Sequence, residues 1–126
     1  MNRLGVMFDR DGEREERIYN EVIVDAYGPE EQAIGWYCYL EEHITFSFKA
    51  RCIAPRKVSP LKVGDVVEAL ELAGEADCAS DMIIIIRFGD RTMGVPLAQL
   101  EPVTGDSTMI EAIKDWHYWV GRGYTF

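Results

Sequence analysis

The chain of 126 residues carries 22 acidic residues against 13 lysines and arginines, a formal net charge of −9. Hydrophobic residues make up 48% and charged residues 28%, the proportions of one globular domain large enough to bury its own core. The acidic balance argues against a nucleic-acid-binding protein, which needs a basic surface, and the apolar runs are too short to span a bilayer. We therefore expect neither nucleic acid nor membrane as a partner.

The three cysteines indicate the compartment. Cys38, Cys52 and Cys78 are odd in number and form no C-x-x-C pair, so a disulfide framework is not expected and a reducing environment is favoured. The first residues also show no basic and apolar pattern typical of a signal peptide. We expect a cytoplasmic monomer.

The N-terminal third of the chain has helical periodicity. After a leader, residues 1–12, apolar residues recur at helical spacing and predict helices over about 13–27 and 29–43, a hairpin within residues 13–44. Gly28 and Pro29 separate the two helices, because glycine suits the left-handed position after a helix and proline suits the first helical position.

The middle of the chain, residues 45–104, has the alternation and turn signals of short strands. The predicted elements are a strand over 45–53, strands Val66–Leu72, Met82–Phe88 and Thr92–Val95, a helical turn Pro96–Leu100 and a last strand near Pro102. The loop between Gly74 and Asp81 is polar, and Gly89 marks a hairpin turn. This order of elements is that of a small SH3-like β-barrel.

A helix over residues 108–121 closes the predicted fold. Thr108 and Glu111 have the spacing of a capping box, and apolar residues recur behind them at helical spacing. The prediction is a single α+β domain, residues 1–126, in which a helical hairpin and a C-terminal helix flank the barrel.

Most carboxylates occupy positions where acids are common, in turns or in the first turn of a helix, and these positions need no bound ligand to explain them. Arg17, for example, lies four residues from both Glu13 and Glu21 and can pair with them along the first helix. Glu41 and Glu42 are different, because they lie in the predicted last turn of the second helix. That end carries partial negative charge, and each carboxylate there costs roughly 0.3–1 kcal/mol.

Two more acids are placed against the same rules. Asp25 lies in the predicted last turn of the first helix. Asp115 follows Glu111 by four residues, a like-charge pair, within an aromatic segment that predicts burial. A bound cation would reverse all of these costs, and Ca²⁺ takes about six to eight oxygen ligands of this kind. The alternative is that the acids are solvated or pair with nearby arginine and lysine.

A second acidic cluster lies in the polar loop between two predicted strands. Glu75, Asp77 and Asp81 fall within seven residues and can surround one ion; the alternative is a solvated loop. The segment that starts at Asp9 fails as an EF-hand, since Gly12 comes two positions early and Asn20 stands where a bidentate glutamate is required. The histidines and cysteines show no zinc spacing and no nucleophile–base set, so an enzyme is not expected.

Several short segments, in this order and spacing, carry a family resemblance. They are Glu15-Glu16-Arg17-Ile18, Val24-Asp25-Ala26-Tyr27, Gly35-Trp36-Tyr37-Cys38-Tyr39-Leu40-Glu41-Glu42, Val58-Ser59-Pro60-Leu61-Lys62-Val63-Gly64, Val95-Pro96-Leu97-Ala98-Gln99-Leu100 and Asp115-Trp116-His117-Tyr118-Trp119. From about Glu13 to Val120 the chain resembles the bacterial calcium-binding protein family typified by cyanobacterial CcbP. The resemblance implies an acidic, intracellular, non-EF-hand protein that buffers Ca²⁺. Members of that family tend to show Leu-Glu-Asp where this chain has Leu40-Glu41-Glu42.

Combining residues and resemblance, we expect Ca²⁺ as the ligand of a calcium buffer or sensor. The expected metal ligands are Asp25, Glu41, Glu42 and Asp115 for one ion and Glu75, Asp77 and Asp81 for another. The alternative from a different class is an SH3-like interaction module that binds a protein partner without metal.

Overall fold

A computed structural model of the chain describes residues 11–57 and 59–123, so most of the predicted leader lies outside the described residues. The helices are α1 (Gly12–Arg17), α2 (Pro29–His43) and α3 (Ser107–Gly121). The strands are β1 (Phe48–Cys52), β2 (Val66–Leu72), β3 (Ile83–Phe88), β4 (Arg91–Pro96) and β5 (Leu100–Pro102). A π-helical turn, Ile18–Val22, continues α1, and 3₁₀ turns occupy Glu75–Cys78 and Leu97–Gln99. Within these residues no helix is long and apolar enough to cross a membrane.

The five strands form one antiparallel sheet in the order β4-β3-β2-β1-β5. Burial alternates along β1, as the sequence predicts for a strand with one face on the core. The mixed helix-and-sheet class and the strand β2 are confirmed. The sheet is not closed into a barrel, since no ladder among the described residues joins its edges β4 and β5. Alternation along a strand is the same in open and closed sheets, so it does not predict closure.

The core joins the buried face of the sheet to α2 and α3. Trp36 of α2 is fully buried and lies edge-on to Trp116 of α3, with 5.0 Å between ring centroids. Trp119 adds a third indole at 5.7 Å from Trp36. Aromatic pairs of this geometry contribute beyond the apolar area that they bury. The aromatic residues at helical spacing therefore serve the core.

The connection between the two N-terminal helices differs from the prediction. The first helix is shorter than 13–27, because its π-helical turn ends at Val22 and the chain then bends. Asp25 takes the left-handed conformation, with φ 60°, that was predicted for Gly28. Gly28 is extended, with φ −155°, and precedes the start of α2 at Pro29, which is confirmed. Aspartate tolerates the left-handed region because its short polar side chain bonds locally.

The start of α3 also differs. Asp106 is the N-cap, and its side chain accepts a 2.8 Å hydrogen bond from the Met109 backbone N–H. The predicted capping box of Thr108 and Glu111 is wrong, since Thr108 already lies inside the helix. Three residues in a row, Asp106, Ser107 and Thr108, all have side chains that can cap, and sequence spacing alone does not choose between them.

One glycine is required by the packing of the two N-terminal helices. A Cβ added to Gly35 of α2 would lie 2.3 Å from the carbonyl oxygen of Val22. We predict that Gly35→Ala lowers the free energy of unfolding by about 1–3 kcal/mol, because a backbone atom must move. Urea unfolding followed by circular dichroism measures it. Gly12→Ala is the control, since a Cβ there meets nothing within 4 Å. Equal or higher stability of Gly35→Ala would contradict the close approach.

His117 links α3 to the 3₁₀ turn 97–99 and gives a pH-dependent prediction. Its Nε2 lies 3.3 Å from the Leu97 carbonyl oxygen. Burial lowers the pKa of His117 below 6.5, opposed by the Leu97 and Leu100 carbonyls and by Glu101. The unfolded chain therefore binds a proton that the folded chain does not, so stability should fall as pH drops below about 6.5. Unfolding measured from pH 5 to 7 should depend less on pH in His117→Gln than in the wild type; identical slopes would contradict this.

Candidate metal centre

Charge is unevenly distributed along the chain. Residues 18–48 contain six carboxylates and no lysine or arginine, and residues 63–86 repeat that pattern with six more. The first segment includes α2, and the second includes the 75–78 turn. Residues of α2 and of the 75–78 turn line one surface groove. The surface around this groove is therefore formed by two segments that carry carboxylates and contain no lysine or arginine.

Glu41 and Glu42 lie in the last turn of α2, and both are exposed. The Tyr37 hydroxyl donates to Glu41 Oε2 at 3.3 Å, and the Ile44 N–H closes the helix on the Leu40 carbonyl at 2.9 Å. The carbonyl end of a helix is partly negative, so both carboxylates add charge of the same sign. Their predicted placement at a helix C-terminus is confirmed by the structure.

Glu75 and Asp77 lie on the 75–78 turn, between β2 and β3, and both are exposed. The turn packs beside α2, so that Glu75 approaches the same tyrosine as Glu41. Partial burial raises the pKa of Tyr37, and the negative charges of Glu41 and Glu75 raise it further. The structure thus places one carboxylate from each of the two predicted sites, Glu41 and Glu75, within electrostatic reach of Tyr37.

Asp81, the third predicted ligand of that loop, has a cationic partner. Arg56 Nη2 lies 3.3 Å from its Oδ2. Burial raises the pKa of Asp81, and Arg56 and a hydrogen bond from the Met82 backbone oppose that rise. Its charge is compensated inside the protein, unlike the charges of Glu75 and Asp77.

Asp115 is fully buried in α3 and is surrounded by donors. Its Oδ1 accepts hydrogen bonds from Arg14 Nη1 and Arg17 Nη2, both at 2.6 Å. Its Oδ2 accepts from Arg17 Nε at 3.0 Å and from the Tyr39 hydroxyl at 2.7 Å. Two donors on each oxygen occupy the lone pairs of the carboxylate. The cation that relieves this buried charge in the structure is a pair of guanidinium groups.

Further contacts, in addition to those of Asp115, hold α1 against α3. The Tyr118 hydroxyl donates to Glu15 Oε2 at 2.7 Å and accepts from the Asp11 N–H at 3.0 Å. Arg14 also reaches Glu111 Oε1 at 3.2 Å. Arg17 pairs with Asp115, whereas its spacing predicted partners on its own helix. Two features of the sequence could have indicated this network. Arg14 and Arg17 lie three residues apart on one short helix, and Asp115 lies in an aromatic segment that predicts burial.

Asp25 lies far from the other predicted ligands along the hairpin. It precedes α2, whereas Glu41 and Glu42 are in the last turn of that 15-residue helix. A rise of 1.5 Å per residue separates the two ends by about 20 Å. Across residues 11–57 and 59–123, no group of three His, Cys, Asp or Glu side chains is arranged to hold a metal ion. The ligand role of each acid stays a prediction.

The family of the chain follows from comparison with known proteins. A family model described as calcium binding, that of CcbP, matches residues 16–120. The chain belongs to the CcbP family of calcium-binding proteins. It is 37% identical to Anabaena CcbP, whose crystal structure superposes with a TM-score of 0.82 over 94% of this chain and 97% of that one. The resemblance of the sequence segments to this family is confirmed.

A second solved structure is described as a calcium-binding protein in the calcium-binding form. This chain is 35% identical to it, with a TM-score of 0.84 over 96% of this chain and 99% of that one. A comparison with curated proteins gave no match. The family is a calcium-binding family and not an enzyme family, and Ca²⁺ is the ligand that it supports.

The donors on the α2 side suit Ca²⁺ in their chemistry. Glu41, Glu42, Glu75 and Asp77 offer exposed carboxylate oxygens, the hard ligands that Ca²⁺ prefers. A helix end also has backbone carbonyls without helical partners, and water completes such sites. Asp115 does not suit the ion in the same way, because a metal there would have to displace two arginines and a tyrosine.

The buried network gives a prediction for Asp115. Asp115→Asn should lower the free energy of unfolding by roughly 3–5 kcal/mol, since it leaves Arg14 and Arg17 without their buried counter-charge. Glu111→Gln, a half-exposed partner of Arg14, should cost less than about 1 kcal/mol. Urea unfolding of both variants measures the difference. A small and equal effect of the two substitutions would show that the network contributes no more than a surface ion pair.

Proposed function

We propose that the protein is an intracellular calcium buffer or sensor whose ion is held on the α2 side of the molecule. The proposed ligands are Glu41 and Glu42 from the end of α2 and Glu75 and Asp77 from the 75–78 turn. The observation that carries this proposal is the position of Glu41 and Glu75 near Tyr37, on two segments of the chain, 18–48 and 63–86, that contain no lysine or arginine. Membership of a calcium-binding family supports Ca²⁺ as the ion.

The remaining predicted ligands rank lower in this proposal. Asp81 and Asp115 have arginine partners, and Asp25 lies at the other end of α2. A carboxylate that is already paired gains less from a metal than one that faces other carboxylates. Asp25, at the opposite end of α2, is too far from Glu41 and Glu42 to bind the same ion.

The proposed action is binding without catalysis. Ca²⁺ would supply two positive charges between carboxylates that otherwise repel one another, so ion loading should stabilise the folded chain by mass action. The number of charged ligands sets the affinity, which we place in the buffer or sensor range. Glu42 adds one methylene compared with the aspartate common at that position in the family, and this gives a longer and more flexible ligand arm.

The cytoplasm is the proposed location. Cys38 is exposed and free, and Cys52 and Cys78 are buried and free. Buried thiols pack as small apolar groups, and an exposed thiol persists in a reducing compartment.

An interaction module is the alternative, and the open five-stranded sheet, in place of the predicted SH3-like barrel, would be the element that binds. The strand order, with the 3₁₀ turn 97–99 between β4 and β5, favours it. An SH3-like module would need an exposed aromatic groove on the strands. The exposed aromatic residues among the described positions are Tyr19 and Tyr27 of the N-terminal hairpin, so calcium binding remains the better supported function.

Calorimetric titration tests the calcium proposal. Chelator-stripped protein should release or take up heat when Ca²⁺ is added, and less with Mg²⁺, because exposed and flexible oxygen ligands suit the larger ion. The double variants Glu41→Gln/Glu42→Gln and Glu75→Gln/Asp77→Asn should each weaken the binding about tenfold or more, as charged ligands are lost.

The matched control is Glu68→Gln/Glu101→Gln. It also removes two charges, but from acids that pair with Arg87 at 3.4 Å and with Arg51 at 3.3 Å on the solvent face of the sheet. Its calcium affinity should stay near that of the wild type. Absence of heat up to millimolar Ca²⁺ would contradict the proposed calcium binding. Equal weakening by all three double variants would mean that Ca²⁺ only screens the negative surface and does not occupy a defined site.

A further inference from the structure

A groove of about 210 Å³ separates α2 from the 75–78 turn. Its apolar lining consists of Ala33, Ile34, Ala76, Cys78 and Ala79, and its carboxylates are Glu30 and Glu75. We propose that this groove docks a basic segment of a partner protein, with one large apolar side chain in the groove and a lysine or arginine on either side of it.

The apolar part of the groove is open to solvent where a partner would enter. Ile34 is 45% exposed although it is a large aliphatic residue in the middle of α2. Ala76 and Ala79 on the facing turn are exposed as well, whereas Cys78 is buried and closes the floor. Small residues on one wall and a large one on the other leave a recess that a single side chain can fill. Filling it would remove apolar area from water.

The charge around the recess selects a basic partner. Neither Glu30 nor Glu75 forms an ion pair within the described residues, and their two segments of chain, 18–48 and 63–86, hold no lysine or arginine. Acids on the solvent face of the sheet are paired: Glu68 with Arg87 and Glu101 with Arg51. The groove side is thus a negative surface that the protein does not neutralise itself. Complementary charge steers association and fixes the register of a bound segment.

The spacing of the acids sets the length of the segment. Glu30, Ala33, Ile34, Tyr37 and Glu41 follow the three- and four-residue spacing of one helical stripe. Glu30 lines the groove, and Glu41 lies beyond it in the last turn of α2, eleven residues further on and about 16 Å away along the helix axis. An extended peptide rises about 3.3 Å per residue, so about five residues span that distance. The expected sequence is therefore basic at both ends and apolar in the middle.

This inference goes beyond calcium binding and requires no metal. Glu75, which lines the groove, and Glu41, which sets the far end of the docked segment, are both proposed calcium ligands, so the peptide is measured in the presence of a chelator. A failed calcium titration then leaves the docking result unaffected, and the reverse also holds. Added Ca²⁺ is a separate measurement, in which competition at Glu75 would lower the affinity for the peptide.

Fluorescence anisotropy of a labelled peptide tests the proposal. The probe is Lys-Lys-Ala-Leu-Ala-Lys-Lys with blocked ends, titrated with the full chain in chelator at physiological salt. Glu30→Gln/Glu75→Gln should weaken its binding about fivefold or more, the size expected for two lost charge pairs. Ala76→Phe should weaken it to a similar degree without a change in charge, because the new ring fills the recess. Glu68→Gln/Glu101→Gln, with the same loss of charge, should bind as the wild type does.

Three outcomes would overturn the docking site. Equal weakening by both double variants would mean attraction to the overall negative charge. Unchanged peptide binding by Ala76→Phe, with a circular dichroism spectrum like that of the wild type, would mean that the apolar recess does not contact the peptide. A concentration-dependent dimer that Ala76→Phe abolishes in sedimentation would assign the groove to a second copy of this chain.

Discussion

A single buried carboxylate holds the helical layer together. Asp115 of α3 receives Arg14 and Arg17 from the N-terminal helical segment and Tyr39 from α2, so three separate elements share one charge. The desolvation of such a charge is offset only when the geometry is good and every lone pair is used, as it is here. The indole cluster of Trp36 forms beside it, and the sheet packs against the helices that this network positions.

The network also decides where the excess negative charge remains. Arginines are used in pairs with Asp115, Asp81 and acids on the solvent face of the sheet. In the two segments 18–48 and 63–86, only Glu68 and Asp81 have such a partner among the described residues. Because those segments fold next to each other, α2 and the 75–78 turn present the acids that are not neutralised internally. The calcium proposal and the docking proposal both depend on this separation of charge.

Local patterns predicted the local structure well. The strand Val66–Leu72 and the start of α2 at Pro29 follow from alternation and from proline at a first helical position. The partner of Asp115 could not be predicted in that way, because Arg14 lies 101 residues before it and spacing rules act within one element. The position of Glu75 near Tyr37 depends on tertiary packing for the same reason. Sheet closure depends on edge-to-edge pairing, which alternation along single strands does not encode.

The separation of Arg14 and Asp115 along the chain has a consequence for biosynthesis. A ribosome makes the chain from its first residue, and domains synthesised in this direction can use only contacts that have already emerged. Because the acid that anchors α1 lies in α3, α1 has no buried counter-charge to dock on until the chain has been translated as far as α3. By this reasoning α1 reaches its final position only after α3, more than 85 residues later in the chain, has left the exit tunnel.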